Sequence, residues 1–224
     1  MRDTLKSKEY FEKCIAYERD QITKFSSMLA TVDISNERGI HKGKLFLGNF
    51  YNNLMKLSYS IGDTIDEVYK YYIMHLQYYK EVCSPNDSTY DIIDILSIGV
   101  LFFERRQEFL VSLREILEKF NSADGLIINL MNYLENDPIH DINSKFEYFN
   151  ELLKNDNKQS VLNDELKLWY KQHKVAYWYN SHESKNDTYC GYWCFEIAAL
   201  AKIFSVDDSE FKSHPYYPYD LAHQ

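Results

Sequence analysis

Gly191-Tyr192-Trp193-Cys194-Phe195-Glu196-Ile197-Ala198-Ala199-Leu200-Ala201-Lys202-Ile203 is the stretch on which the reading of this chain turns. At helical spacing Trp193, Ile197, Leu200 and Phe204 share one face, and Tyr192, Ala199 and Ile203 another. A helix apolar nearly all round belongs inside a protein, with other elements packed on several sides. Glu196 and Lys202 are its only charges. Glu196 falls among Tyr192, Ala199 and Leu200, where water is excluded, so its carboxyl has to be hydrogen-bonded, paired or protonated. Beyond the helix come Asp207-Asp208-Ser209 and then His214-Pro215-Tyr216-Tyr217-Pro218-Tyr219-Asp220-Leu221. The prolines rule out a helix across that segment and predict an extended, tyrosine-rich strap.

Upstream the pattern is helical throughout. From Asp3, a good N-cap, Phe11, Ile15, Ile22, Phe25 and Leu29 repeat at helical spacing to about Val32. After a polar turn, Leu47, Phe50, Leu54, Leu57 and Ile61 step by three and four, a seam for an antiparallel neighbour that ends at Gly62-Asp63. Thr64 and Glu67 form a capping-box pattern for a third helix, and Cys83 to Asp87 stops it. Ile92 to Phe103 covers most of a helix circumference, so a fourth helix is buried; Glu104-Arg105-Arg106 marks a kink or a break before Phe109 to Phe120. Asn121-Ser122-Ala123-Asp124-Gly125 is the internal boundary, giving domains 1–124 and 125–224 packed together. Short helices follow at Leu126–Leu134 and near Phe146–Leu153. Leu162, Leu166, Trp169, His173, Ala176 and Tyr177 then form a stripe that packs on the Glu196 helix. The expected fold is all-α, with about nine helices in a compact bundle.

Four prolines and seven glycines are few for 224 residues, which agrees with long helices. The net charge is −9; residues 1–124 carry 16 Lys/Arg and 19 Asp/Glu, leaving 9 and 15 for 125–224, so acidity concentrates towards the C-terminus. Such a surface repels nucleic acid and anionic membrane and attracts basic proteins. Met1 to Lys13 is charged throughout, with no apolar signal-peptide core, and Ile95 to Phe103 is too short to cross a bilayer. Cys14, Cys83, Cys190 and Cys194 show no disulfide spacing. The expected compartment is the reducing cytoplasm.

No catalytic set emerges. His182-Glu183 begins like a zinc-protease motif, but Asn186 stands where the second histidine is required. His173, His182, Cys190 and Cys194 match no standard zinc finger. Gly39 to Lys44 is too short for a phosphate loop, and Leu45 replaces the hydroxyl that would hold magnesium. No metal and no cofactor is expected. Glu196 remains as an acid or base in a desolvated site, or as a buried structural residue bonded to tyrosines or backbone.

One resemblance is specific. Gly191-Tyr192-Trp193, Phe195-Glu196, Ala198-Ala199, Ala201-Lys202-Ile203, Asp207-Asp208 and His214-Pro215-Tyr216-Tyr217-Pro218-Tyr219-Asp220-Leu221 resemble the C-terminal hallmark of the PoNi-type bacterial immunity proteins. Arg2-Asp3, Tyr10-Phe11 and Ile15 are similar to the start of that family's companion domain. Cys194 and Ser205 depart from it, Ser205 standing where a helix-ending glycine is natural. The resemblance implies a non-enzymatic protein that binds, in the cytoplasm, a secreted DNase toxin of the PoNe type. Gly191, Trp193, Glu196, Pro215, Tyr216, Tyr217, Pro218, Tyr219 and Asp220 are then a structural signature. A nuclease presents basic residues to phosphates, so the contact surface is expected among the C-terminal acids: Glu135, Asp137, Asp141, Asp156, Asp164, Glu165 and Asp187. The rival readings are a helical enzyme using Glu196 and a general helical adaptor.

Overall fold

A computed structural model describing all residues from Met1 to Gln224 shows ten α-helices, three short 3-10 turns and no strand. The helices are α1 (Lys8–Thr31), α2 (Glu37–Ile61), α3 (Ile65–Val82), α4 (Thr89–Leu101), α5 (Leu110–Phe120), α6 (Gly125–Glu135), α7 (Glu147–Lys154), α8 (Lys158–Gln172), α9 (Phe195–Ile203) and α10 (Tyr219–Ala222). Nine of them have eight or more residues, and the fold is all-α as expected. None is long and apolar enough to cross a membrane. The helices fall into two units, and neither is one continuous stretch. The first comprises Met1–Ser84, Ser112–Lys119 and Asn180–Gly191, the second Pro85–Val111, Phe120–Tyr179 and Tyr192–Gln224.

In the first unit α2 packs against both α1 and α3. Leu47, Leu54 and Leu57 from α2 are buried with Phe11 of α1 and Val68, Tyr72 and Leu76 of α3, so the three-four seam works as expected. Thr64 caps α3 by accepting the Glu67 N–H at 3.3 Å. Gly62 ends α2 at φ 100°, a left-handed turn that a side chain resists. Asp3, expected as the first N-cap, is not one. Ser7 caps α1, and Asp3 instead accepts the backbone N–H groups of Leu5 (2.8 Å) and Lys6 (3.3 Å) together with the Tyr189 hydroxyl. Tyr10 and Tyr189 add a reciprocal pair. The Tyr10 hydroxyl donates to the Tyr189 carbonyl at 3.1 Å and accepts its N–H at 3.0 Å. The 180–191 segment is thereby fastened to the start of α1.

In the second unit α4 packs on α9 and α6, and α9 also meets α8 and α10. Ala198 and Ala199 are fully buried, and their small side chains allow that many neighbours. The break after α4 is a 3-10 turn at Phe103–Glu108, so the charged triplet interrupts the helix. Asp124 caps α6 through the Leu126 N–H (3.0 Å) and also takes the Ser144 hydroxyl (2.9 Å) and the Lys145 N–H (2.9 Å). Gly125 is required at the same junction, because a Cβ there would lie 2.0 Å from the Ile142 carbonyl oxygen. Asn150 accepts the Ser144 N–H and donates to its carbonyl, both at 2.8 Å. These bonds hold the stretch from Ser144 to Tyr148 in one place.

Three local expectations need correction. Tyr192, Trp193 and Cys194 are buried but not helical; α9 begins at Phe195, because the Cys194 N–H is taken at 2.8 Å by the Tyr216 carbonyl. The strap is not extended either. It turns at Pro215-Tyr216, and α10 starts directly after Pro218, where a missing N–H costs nothing. The α8 stripe ends at His173, beyond which Tyr177 is 80% exposed.

Candidate functional site

Glu196 stands in the first turn of α9, and Trp169 of α8 reaches it: the indole N–H donates to Oε1. A tryptophan therefore supplies the donor expected from tyrosines or backbone. On α8, Glu165, Trp169 and His173 recur at intervals of four and share one face. Trp169 and Trp178 stack at 5.3 Å with 18° between planes, and His173 stacks on Trp178 at 5.3 Å and 28°, which fixes the end of α8.

That face borders a cleft of about 240 Å³ lying wholly within the second unit. Tyr90 and Ile93 of α4 form one wall, Lys145 to Tyr148 a second, and Glu165, Gln172 and His173 a third, with Glu196 also lining it. Glu165 accepts the Gln172 amide at 3.2 Å, and His173 Nδ1 lies 2.7 Å from the Trp169 carbonyl. A carbonyl only accepts, so the Nδ1 carries the proton and Nε2 is an acceptor. Lys145 donates to the Thr89 hydroxyl at 2.7 Å.

The electrostatics follow from burial. Desolvation, reinforced by the nearby Asp94, pushes Glu196 up to about 8, against the opposing donors from its own backbone, Trp169 and Cys194. At neutral pH it is mostly a protonated acid. Glu165 is raised by burial as well, and the Gln172 bond only partly counters this. Burial lowers His173, keeping it neutral. The Tyr148 phenol is pushed far up by burial and then by Glu196. The Cys194 thiol is also raised by burial, which keeps it in the unreactive protonated form.

Of the residues expected as a structural signature, Tyr217 is tied by a hydrogen bond within the second unit. Tyr217 donates to Asp208 at 2.5 Å, and His223 Nε2 lies 2.8 Å from the other Asp208 oxygen. Trp193, Tyr217 and Pro218 are buried, Tyr216 and Tyr219 are half-buried, and Pro215 and Asp220 are exposed. Gly191 adopts φ 110°, a turn and not the helix position expected. Ser205 does take the left-handed conformation (φ 52°) anticipated from its place after the helix, and the Val206 N–H reaches back to the Ala201 carbonyl at 2.9 Å.

The acidic candidates divide. Asp137, Asp141 and Asp156 are exposed, and Glu135 is half-buried at the end of α6. Asn129 pins the loop that carries Asp137 and Asp141, taking the His140 N–H at 2.7 Å and donating to its carbonyl at 3.0 Å. Asp164 is exposed on α8 and bonded to Lys167 at 3.0 Å. Asp187 belongs to the first unit, where Lys13 pairs with it at 2.6 Å. Glu165 is different: at 8% exposure it is not an open surface acid but a wall of the cleft, on the α8 face it shares with Trp169. Tyr90, Lys145, Tyr148 and Gln172 escaped the sequence reading. They come from distant segments, and no local spacing joins them to Glu196.

Comparison with known proteins then places the chain. The model for the N-terminal region of PoNe immunity proteins (PoNi) matches residues 2–113, and the model for their C-terminal region matches residues 123–221. No curated protein and no solved structure matches the chain. The first span takes in Asp3, Tyr10 and the Tyr90–Ile93 wall of the cleft, and the second takes in the rest of the cleft, Glu196 and the tyrosine strap. With both regions matched in order over nearly its whole length, the chain belongs to the PoNe immunity protein (PoNi) family.

Proposed function

We propose that this protein binds and neutralises a cognate PoNe-type DNase toxin, in the cytoplasm, by forming a stoichiometric complex. The observation that carries the reading is the pair of family matches, one to each half of the chain. Charge supports it. The protein is acidic at −9, and a nuclease surface built to hold phosphates is basic, so attraction speeds encounter. The contact surface we propose is formed by Glu135, Asp137, Asp141, Asp156 and Asp164, with Asp187 next. We also keep 124/125 as the boundary between the family's two domains, since it lies within two residues of where the second matched span begins, at 123. Co-expression with the cognate toxin tests the proposal: cells should survive with this protein and die without it. Equal killing in both would remove the reading.

One observation favours a second reading, an enzyme using Glu196. The cleft does bring Glu196 beside Glu165 and His173. Against it stands volume, because about 240 Å³ falls short of the roughly 300–1,000 Å³ of sites for small-molecule ligands. Toxin protection that survives Glu196→Gln would separate the two, since an acid-base role cannot outlast loss of the acid.

A further inference from the structure

We propose that the cleft in the second unit is a socket for one cationic side chain of the toxin, an arginine guanidinium, gripped by Glu165 and flanked by the rings of Tyr90 and Phe146. This rests on the reading of the chain as a toxin-binding protein. It adds a contact that lies outside the exposed acidic surface.

Size comes first. A cleft of about 240 Å³ suits a single long side chain better than a free metabolite. The second point is an imbalance between donors and acceptors. Glu165 receives one bond, from Gln172 to Oε2, which leaves Oε1 with no donor from the protein. His173 uses Nδ1 on the Trp169 carbonyl, so its Nε2 is an acceptor, and it too has no donor. Both residues are only 8% exposed and both line the cleft. Both acceptors open onto the cleft, where an entering donor-rich group can pair with them. A guanidinium offers five N–H donors in a planar fork and accepts nothing, which is the complement of this lining.

The walls and the field agree with that occupant. Tyr90 meets His173 at 4.8 Å and Phe146 at 5.8 Å between ring centroids, giving aromatic surface beside the carboxylate. Such surface attracts cations. Glu196 lines the same cleft and adds a second carboxyl to its lining. The cleft's own cation does not fill it: Lys145 is turned onto the Thr89 hydroxyl at 2.7 Å, with its ammonium 5.3 Å from the Phe146 ring centre. Burial raises the carboxyls of Glu165 and Glu196, and a cation in the cleft favours their charged forms.

The test is a titration of the full-length protein with N-acetyl-arginine amide, followed through the indole N–H resonance of Trp169. The signal should move and saturate at millimolar ligand, while N-acetyl-citrulline amide, the same shape without charge, leaves it in place. Glu165→Gln should weaken the arginine probe about tenfold, the loss of one charge-assisted bond. Tyr90→Ala, on a more exposed wall, should weaken it about threefold through the lost cation–π contact, which keeps the test open if the first variant folds poorly. No shift with arginine, an equal shift with citrulline, or unchanged binding in both variants overturns the socket. Protection from the toxin is measured beside it. If the wild-type protein protects while the arginine probe fails, the socket falls and the immunity reading stands. If the wild-type protein gives no protection, both fall.

Discussion

Asp3 in the first unit and Glu196 in the second are both carboxyl groups buried among aromatic rings, at 6% exposure each, yet they are held differently. Asp3 takes three donors, two from backbone and one from Tyr189, and so ties the chain's start to the 180–191 segment. Glu196 also has donors, but burial and the neighbouring Asp94 outweigh them and hold it as an acid at neutral pH. Asp3 braces. Glu196 and Glu165 both line an opening. A carboxylate saturated with donors is explained by the fold, whereas one kept against its preference for charge points to what has yet to bind.

The contrast can be broken by mutation. Asp3→Ala has the largest expected effect, because it strands the buried Tyr189 hydroxyl and two N–H groups. It should cost about 4 kcal/mol in urea unfolding. An effect below about 1 kcal/mol would mean that Asp3 is no brace.

A pH series comes next. Glu196 has a folded-state pKa of about 8 against 4.5 for the free group, so the folded state binds more protons between those values. Its contribution is greatest below about 4.5, declines as pH rises to about 8 and is flat above. Glu18, raised by burial to about 7, has the same sign. From pH 5 to pH 8 Glu196 should therefore lower wild-type stability by about 3 kcal/mol and Glu18 by about 2 kcal/mol more. Glu196→Gln should remove most of that slope. A parallel slope in the variant would place the titration elsewhere.

Trp169→Phe should cost about 2 kcal/mol, from the lost indole bond and the smaller ring. It should also push the Glu196 transition to higher pH, since the lost donor favours the charged form. A downward move would reverse the account of that bond. The smallest effect on stability belongs to the exposed acids. Reversing Asp137, Asp141 and Asp156 to Lys should leave unfolding within about 0.5 kcal/mol per site. Toxin association should slow and lose salt dependence; an unchanged on-rate moves the interface elsewhere.

Much of this was legible from the chain alone. The α2 seam, the stop at Gly62, the burial of α9 and of Glu196 and the left-handed Ser205 all follow from local spacing and local conformational preference. What was hidden depends on partners. Gly191 to Cys194 has helical spacing but is held out of the helix by the Tyr216 carbonyl, twenty-odd residues on. Glu165 looks like a solvent acid in the sequence but is buried in the wall of the cleft. The cleft joins residue 90, residues 145–148, residues 165–173 and residue 196, and periodicity within one segment cannot say which segments will meet.

The most direct test of the central claim is DNA cleavage by the purified cognate toxin, measured while this protein is added. Cleavage should fall linearly and vanish near one equivalent, with no change in the immunity protein itself. Cleavage that persists at a large excess of folded protein would contradict the account.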